Sequence, residues 1–287
     1  IAVEARAEAF RFGWQDGLSA YVKAASRKKD TTSTASYRLV LEQLPEEGYA
    51  LHFADFTFLT LNGVDAAKPE IAKRLGPLAS ITSNLPTMHI GADGAFLGTY
   101  GLDAMRERLL DSMGDQLTGE MRAQLKRYFE SPKLQAAMQQ RSGELWNVWV
   151  GAWNGLDLSA GEEINASVPV AVLGEAIAQS VHVEHLGPAS NFCATCVRLR
   201  MTTLIEGPQV VRLVRGLLAE ASRSAADAVE ADFESARSFG VTETVVEPAT
   251  LIPWYARLRR EVSLRGEDGT ENSTVDEKEF WFSWEQP

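Results

Sequence analysis

Residues 36–61 read SYRLVLEQLPEEGYALHFADFTFLTL, and this stretch decides the fold class. Two β-rich runs, Ser36–Leu44 and Tyr49–Leu61, flank Pro45-Glu46-Glu47-Gly48, whose proline and glycine suit a turn. The pair therefore reads as neighbouring antiparallel strands. In the second run the large apolar residues stand at 49, 51 and 53 and then shift to 56 and 58. The period-2 register slips around Ala54-Asp55, so a β-bulge is expected there, and a bulge coils a sheet.

Outward from this hairpin, Ala9–Trp14, Ser19–Ser26, Thr87–Ile90 and Ala95–Tyr100 read as further strands. Ala92-Asp93-Gly94 is a hairpin turn, because Asp and Gly tolerate positive φ. The period then changes. Leu102, Met105, Leu109, Met113, Leu117, Met121, Leu125 and Phe129 recur at helical steps, and Ser131-Pro132 opens another helix running toward Trp153, ended by Asn154-Gly155. Strands resume with Glu163–Val172, where Ile164, Ala166, Val168, Val170 and Val172 alternate with polar residues as one packed face. Ala178–Leu186 and Ala194–Leu204 follow, and a helix is expected over about 208–238. Gly240–Glu247, Trp254–Leu264 and Val275–Trp284 are the closing strands, with a loop at Glu267-Asp268-Gly269.

The order strands, helices, strands, helix, strands favours one continuous sheet over βαβ units. The expectation is an α+β protein: a large curved antiparallel sheet of about ten or more strands, an unclosed barrel with helices on its concave side. It is read as a single domain over 1–287, with β-blocks at 8–100 and 160–285 and a helical insertion at 101–153.

A chain of 287 residues with 45% hydrophobic content can bury a large core. Its net charge of −11, from 28 basic against 39 acidic residues, opposes nucleic acid as a partner. No apolar run reaches the ~20 residues of a membrane span. The chain begins at Ile1, which suggests a mature form, and a removed signal peptide or a lipidated cysteine fits that beginning.

No nucleophile elbow, Walker loop or dinucleotide fingerprint is present, so neither an enzyme nor a cofactor is expected. His182, His185, Cys193 and Cys196 are the residue types of a zinc site. In a strand, however, His182 and His185 point to opposite faces, and no metal site is expected from them. Cys193 and Cys196 are either a local disulfide or two ordinary thiols. His52 and His89 sit in apolar strands as satisfied or surface histidines. Arg257, Arg259, Arg260 and Arg265 read as a solvated strand face. Trp146, Trp149 and Trp153 form a stripe at helical spacing. Its plainer reading is packing on the sheet; its functional reading, shared with Phe56 and Phe58, is the lining of an apolar ligand cavity. Trp254, Phe280, Trp281, Phe282 and Trp284 put aromatics on both faces of the last strands, which calls for a second apolar layer, a cavity or a partner.

Cys196-Val197-Arg198-Leu199 entering a strand, and Glu247-Pro248-Ala249-Thr250-Leu251-Ile252-Pro253 before the penultimate one, complete a layout that resembles the LolA/LolB-like (LppX-type) lipoprotein-carrier superfamily. That resemblance implies an unclosed barrel holding an acyl chain or other hydrophobic molecule under helices, without catalysis, in the periplasm or at the outer membrane of a Gram-negative bacterium. The alternative reading is a structural or interaction subunit that meets another envelope protein through an exposed aromatic patch.

Overall fold

The computed structural model describes residues 7–45, 48–82, 85–113, 118–130, 132–172, 175–212, 233–266 and 268–285. The first block is a meander of β2 (Ser19–Lys28), β3 (Thr31–Gln43), β4 (Tyr49–Leu61), β6 (Thr87–Ile90) and β7 (Phe96–Tyr100), with the short β5 (Val64–Asp65) folded onto β4. The second is a meander of β9 (Glu163–Val172), β10 (Glu175–Pro188), β11 (Val197–Glu206), β12 (Phe233–Val246), β13 (Pro253–Gly266) and β14 (Glu271–Glu285). Antiparallel pairing of β2 with β14 fuses the two into one twelve-stranded sheet, in the order β7-β6-β4-β3-β2-β14-β13-β12-β11-β10-β9 with β5 beside β4. The expected continuous sheet is what forms.

The sheet is open, with β7 and β9 as its edges. Laid flat, ten inter-strand steps would hold these edges about 48 Å apart. Yet Phe96, Leu97 and Gly98 of β7 and Val170 of β9 line the same cavity. The sheet must therefore curl strongly. The predicted bulge contributes: the β3–β4 register breaks between Ser36↔Thr57 and Arg38↔Ala54, and Asp55 takes a φ of 53°.

Helix α1 (Pro69–Thr82) falls inside the first block between β5 and β6, whereas α2 (Leu102–Met113), α3 (Gly119–Phe129) and α4 (Pro132–Trp146) lie between the strand blocks, and a π-helical turn, Asn147–Gly151, continues α4. The Ala152 N–H bonds to Asn147 O across five residues. Trp146, Val148, Trp149, Val150 and Trp153 are all buried, so this turn is plugged into the sheet rather than laid on it.

Three expectations need correction. Residues 10–14 are not a strand: only β1 (Glu8–Ala9) pairs, with β8 (Asp157–Leu158), and beyond it Phe10, Arg11 and Gly13 spend their N–H groups on carbonyls of Leu156, Pro248 and Thr250 in loops. Residues 208–212 are helical as expected, but 233–238 belong to β12, where Ala236 pairs with Leu264 across the ladder; residues 213–232, and with them most of that expected helix, lie outside the described residues. The packed face assigned to β9 is mostly exposed at Ala166 and Val168, because β9 is an edge strand that nothing covers there among the described residues.

The Asp93-Gly94 turn does more than reverse the chain. Gly94 holds a φ of 85°, its carbonyl accepts the Trp146 indole N–H at 2.9 Å, and a Cβ there would sit 2.5 Å from Phe12 Cβ. Gly94→Ala is expected to cost about 1–3 kcal/mol, from αL strain and that clash together. A urea titration that shows less than half a kcal/mol of loss would mean that Phe12 does not pack on the turn as described.

Candidate functional site

The core divides the concave side of the sheet into two parts. Over the middle strands, Phe280 and Phe282 of β14 meet Trp149 edge-on at 5.4 and 5.5 Å, and Trp14 packs between Trp146 and Trp284 at 5.3 and 5.2 Å. Trp14, Trp146 and Trp153 each donate the indole N–H to a backbone carbonyl, that of Leu251, Gly94 and Val148 respectively, while Trp149 Nε1 is buried without an acceptor. This aromatic plug is fully packed.

Beyond the plug, toward β9, the concave side chains become small: Thr203 on β11, then Ala236, Ser238 and Gly240 on β12. Small side chains opposite a helix leave space, and a cavity of about 1010 Å³ opens there. Ile177, Met201, Ile205, Leu258 and Val262 give it an apolar sheet wall, and α4 forms the far wall through Gln139, Gln140, Gly143 and Glu144. Glu144 reaches across to pair with Arg260, so one ion pair ties helix to sheet inside the cavity. Gln139 donates from Nε2 to Thr99 O at 3.0 Å, and its Oε1 is buried without a donor.

The sequence candidates fall on either side of this geometry. Trp146, Trp149 and Trp153 are 0% exposed and belong to the plug; the cavity is lined instead by Asn147 and Val148 of the same turn. The plainer reading of the stripe is the one its position supports. Phe56 and Phe58 line a second, apolar pocket of about 250 Å³ with Phe53, Tyr37 and Phe280, at the β2–β4 end of the sheet. The cavity residues on β10–β13 escaped sequence reading. The signal was there: small residues on the inward-facing alternation of long strands, where other strands carry aromatics.

On the opposite face, Arg257 pairs with Glu277, Arg259 with Glu261, and Arg200 with Glu243, which bears out a solvated strand face for Arg257 and Arg259; Arg260 is the exception, pointing into the cavity. The second apolar layer beneath the last strands is a small cluster of Ala189, Phe192, Cys193, Cys196, Val245, Trp254 and Tyr255, and Cys193 and Cys196 are joined as a disulfide inside it. His185 is buried against Phe10 and 3.2 Å from Glu8, whereas His182 faces the other side of the sheet, so the two do not converge. His52 bonds Glu42 and Thr87, and His89 bonds Tyr100. Exposed large aromatics among the described residues are Tyr21 and Tyr100, on different strands, rather than a patch.

Two phenols are held protonated. Burial pushes Tyr37, stacked on Phe56, far above its ordinary value of 10.0, and Tyr255 is pushed up to about 12 by burial and then by Glu279. Unfolded phenols ionise near 10. The stability these groups contribute is therefore complete below pH 10 and is lost as pH rises toward and past 12. Alkaline unfolding is expected to set in above pH ~10, and Tyr37→Phe is expected to flatten the slope of stability against pH in that range. An unchanged slope in that variant would contradict the burial of the Tyr37 hydroxyl.

The class of protein these features define is an open, curled antiparallel sheet with a solvent-open cavity between sheet and helix. No family model and no curated protein matches the chain. Among solved structures it is similar to a lipovitellin, described by the words "lipid-protein interactions in lipovitellin", with 10% sequence identity and a TM-score of 0.47. The match covers 96% of this chain and 26% of that one, so the chain spans about a quarter of the lipovitellin's length. No helix among the described residues is long and apolar enough to cross a membrane.

Proposed function

We propose that this protein binds a lipid or another hydrophobic molecule in the cavity between β9–β13 and α4, without chemistry of its own. The observation that carries the reading is the cavity itself. At about 1010 Å³ it lies at the upper end of small-molecule sites, with an apolar sheet wall facing a polar helix wall of Gln139, Gln140 and Glu144. The sequence resemblance to LolA/LolB-like carriers supports the same reading. An exposed aromatic patch, which the interaction-subunit alternative needs, has no support among the described residues. The Cys193–Cys196 disulfide suits an oxidising compartment, and a periplasmic or outer-membrane location fits it.

The test is a titration of the delipidated protein with the apolar fluorophore N-phenyl-1-naphthylamine. Saturable enhancement at one probe per chain, reversed by a long-chain fatty alcohol, is the expected result. A linear, unsaturated signal would overturn the proposal.

A further inference from the structure

A second site lies on the opposite face of the sheet, and it uses one of the histidines that the zinc pattern brought forward but with different partners. In the β9–β10 hairpin Glu163 stands directly opposite Glu184, and His182 directly opposite Asn165. Two like charges face to face in a ladder are destabilising unless something sits between them. The His182 Nε2 points between them, 3.9 Å from Glu163 Oε2 and 3.8 Å from Glu184 Oε2, and one ligand atom from each of the three residues lies within 4.8 Å of the others.

The other ring nitrogen fixes what Nε2 presents. Asn165 Oδ1 lies 2.8 Å from His182 Nδ1, and an amide oxygen only accepts, so Nδ1 carries the proton. In the neutral ring the Nε2 lone pair then faces two carboxylate oxygens. This is the arrangement in which a ligating histidine is held by a hydrogen bond from its other nitrogen. Arg200 makes its close contacts to Glu243, at 2.7 and 2.8 Å, and pairs more loosely with Glu184 from Nη1 at 3.8 Å, leaving Glu163 to His182. A recess of about 360 Å³ begins beside the cluster at Glu184 and Arg200, and the Glu163 and His182 side chains are themselves partly exposed, so water can reach the cluster.

We propose that Glu163, His182 and Glu184 bind a divalent transition-metal ion of the Zn²⁺ kind, with Asn165 as the positioning residue and water in the remaining place. Two carboxylates and one imidazole match the mixed oxygen and nitrogen preference of such ions. The two histidine-to-carboxylate distances, 3.9 and 3.8 Å, need to close by about half an ångström to reach tetrahedral spacing, and the set already lies within 4.8 Å, a range side-chain rotation can shorten.

The test is isothermal titration of the chelator-treated full chain with Zn²⁺ alone, run beside His182→Ala and the isosteric Glu163→Gln. One Zn²⁺ per chain is expected, weakened at least tenfold in each variant, with Asn165→Ala also weaker, by about tenfold as for lost orienting partners. Far-ultraviolet circular dichroism of all three should match the unaltered chain, since none of these side chains is in the core. Absence of saturable binding at millimolar Zn²⁺ overturns the proposal, as does an isotherm in His182→Ala equal to that of the unaltered chain.

Discussion

Trp149→Ala is expected to remove about 3–5 kcal/mol of folding stability, the range for emptying a sealed aromatic site. The residue is 0% exposed, and its ring faces Phe280, Phe282 and Phe53 at 5.4, 5.5 and 6.4 Å. Those partners are on strands of two different meanders, so the cavity left behind would open at the junction that makes the sheet continuous. The neighbouring structure has little means of collapsing into it, because the π-helical turn is fixed by Thr244 Oγ1 donating to Val148 O at 2.7 Å. Trp281→Ala, on the outer face beside Tyr255, is half-buried and should cost much less. Urea unfolding of the two variants checks this. A loss below about 1 kcal/mol for Trp149 would mean that it lines usable space rather than filling the core.

Thr203→Trp is expected to weaken N-phenyl-1-naphthylamine binding at least tenfold, about 1.4 kcal/mol or more, while leaving the fold intact. Thr203 lies on the sheet wall of the large cavity, and its hydroxyl leans over Gly240 on the adjacent strand, which has no side chain to push back. An indole placed there grows into empty volume, so it costs the ligand its space without overpacking the core. Thr202→Trp is the matched control: one residue earlier in β11, its side chain faces the recess on the other side of the sheet. If both variants bind the probe equally, the cavity is not the site.

How much of this was legible in the sequence varies with the physics. The strands of residues 19–61 and 240–285 were readable because a half-buried strand writes its burial every second residue, and the bulge at Asp55 was readable because it breaks that alternation. The strand order was not readable, since pairing β2 with β14 joins residues at opposite ends of the chain and no local pattern encodes it. Residues 10–14 alternate like a strand, yet their backbone partners are loop carbonyls, which a propensity cannot foresee. The tryptophan stripe was visible, but its placement in a packed plug depended on a π-helical turn that buries three successive residues, Val148 to Val150. The cavity was hidden for the complementary reason. It is marked by small inward-facing side chains, Ala236, Ser238 and Gly240, a signal that reads as a cavity only once the helix opposite them is in place. The cluster of Glu163, His182 and Glu184 required the hairpin register of β9 on β10, which sets the two glutamates face to face.

The central claim is that the cleft between the curled sheet and α4 holds a hydrophobic molecule. Native mass spectrometry of gently purified protein, with solvent extraction of whatever is released, tests it most directly. A stoichiometric adduct of lipid size, present in the unaltered chain and lost in Thr203→Trp, is the predicted result. A clean mass of the chain alone, unchanged after incubation with extracted lipids, would contradict it.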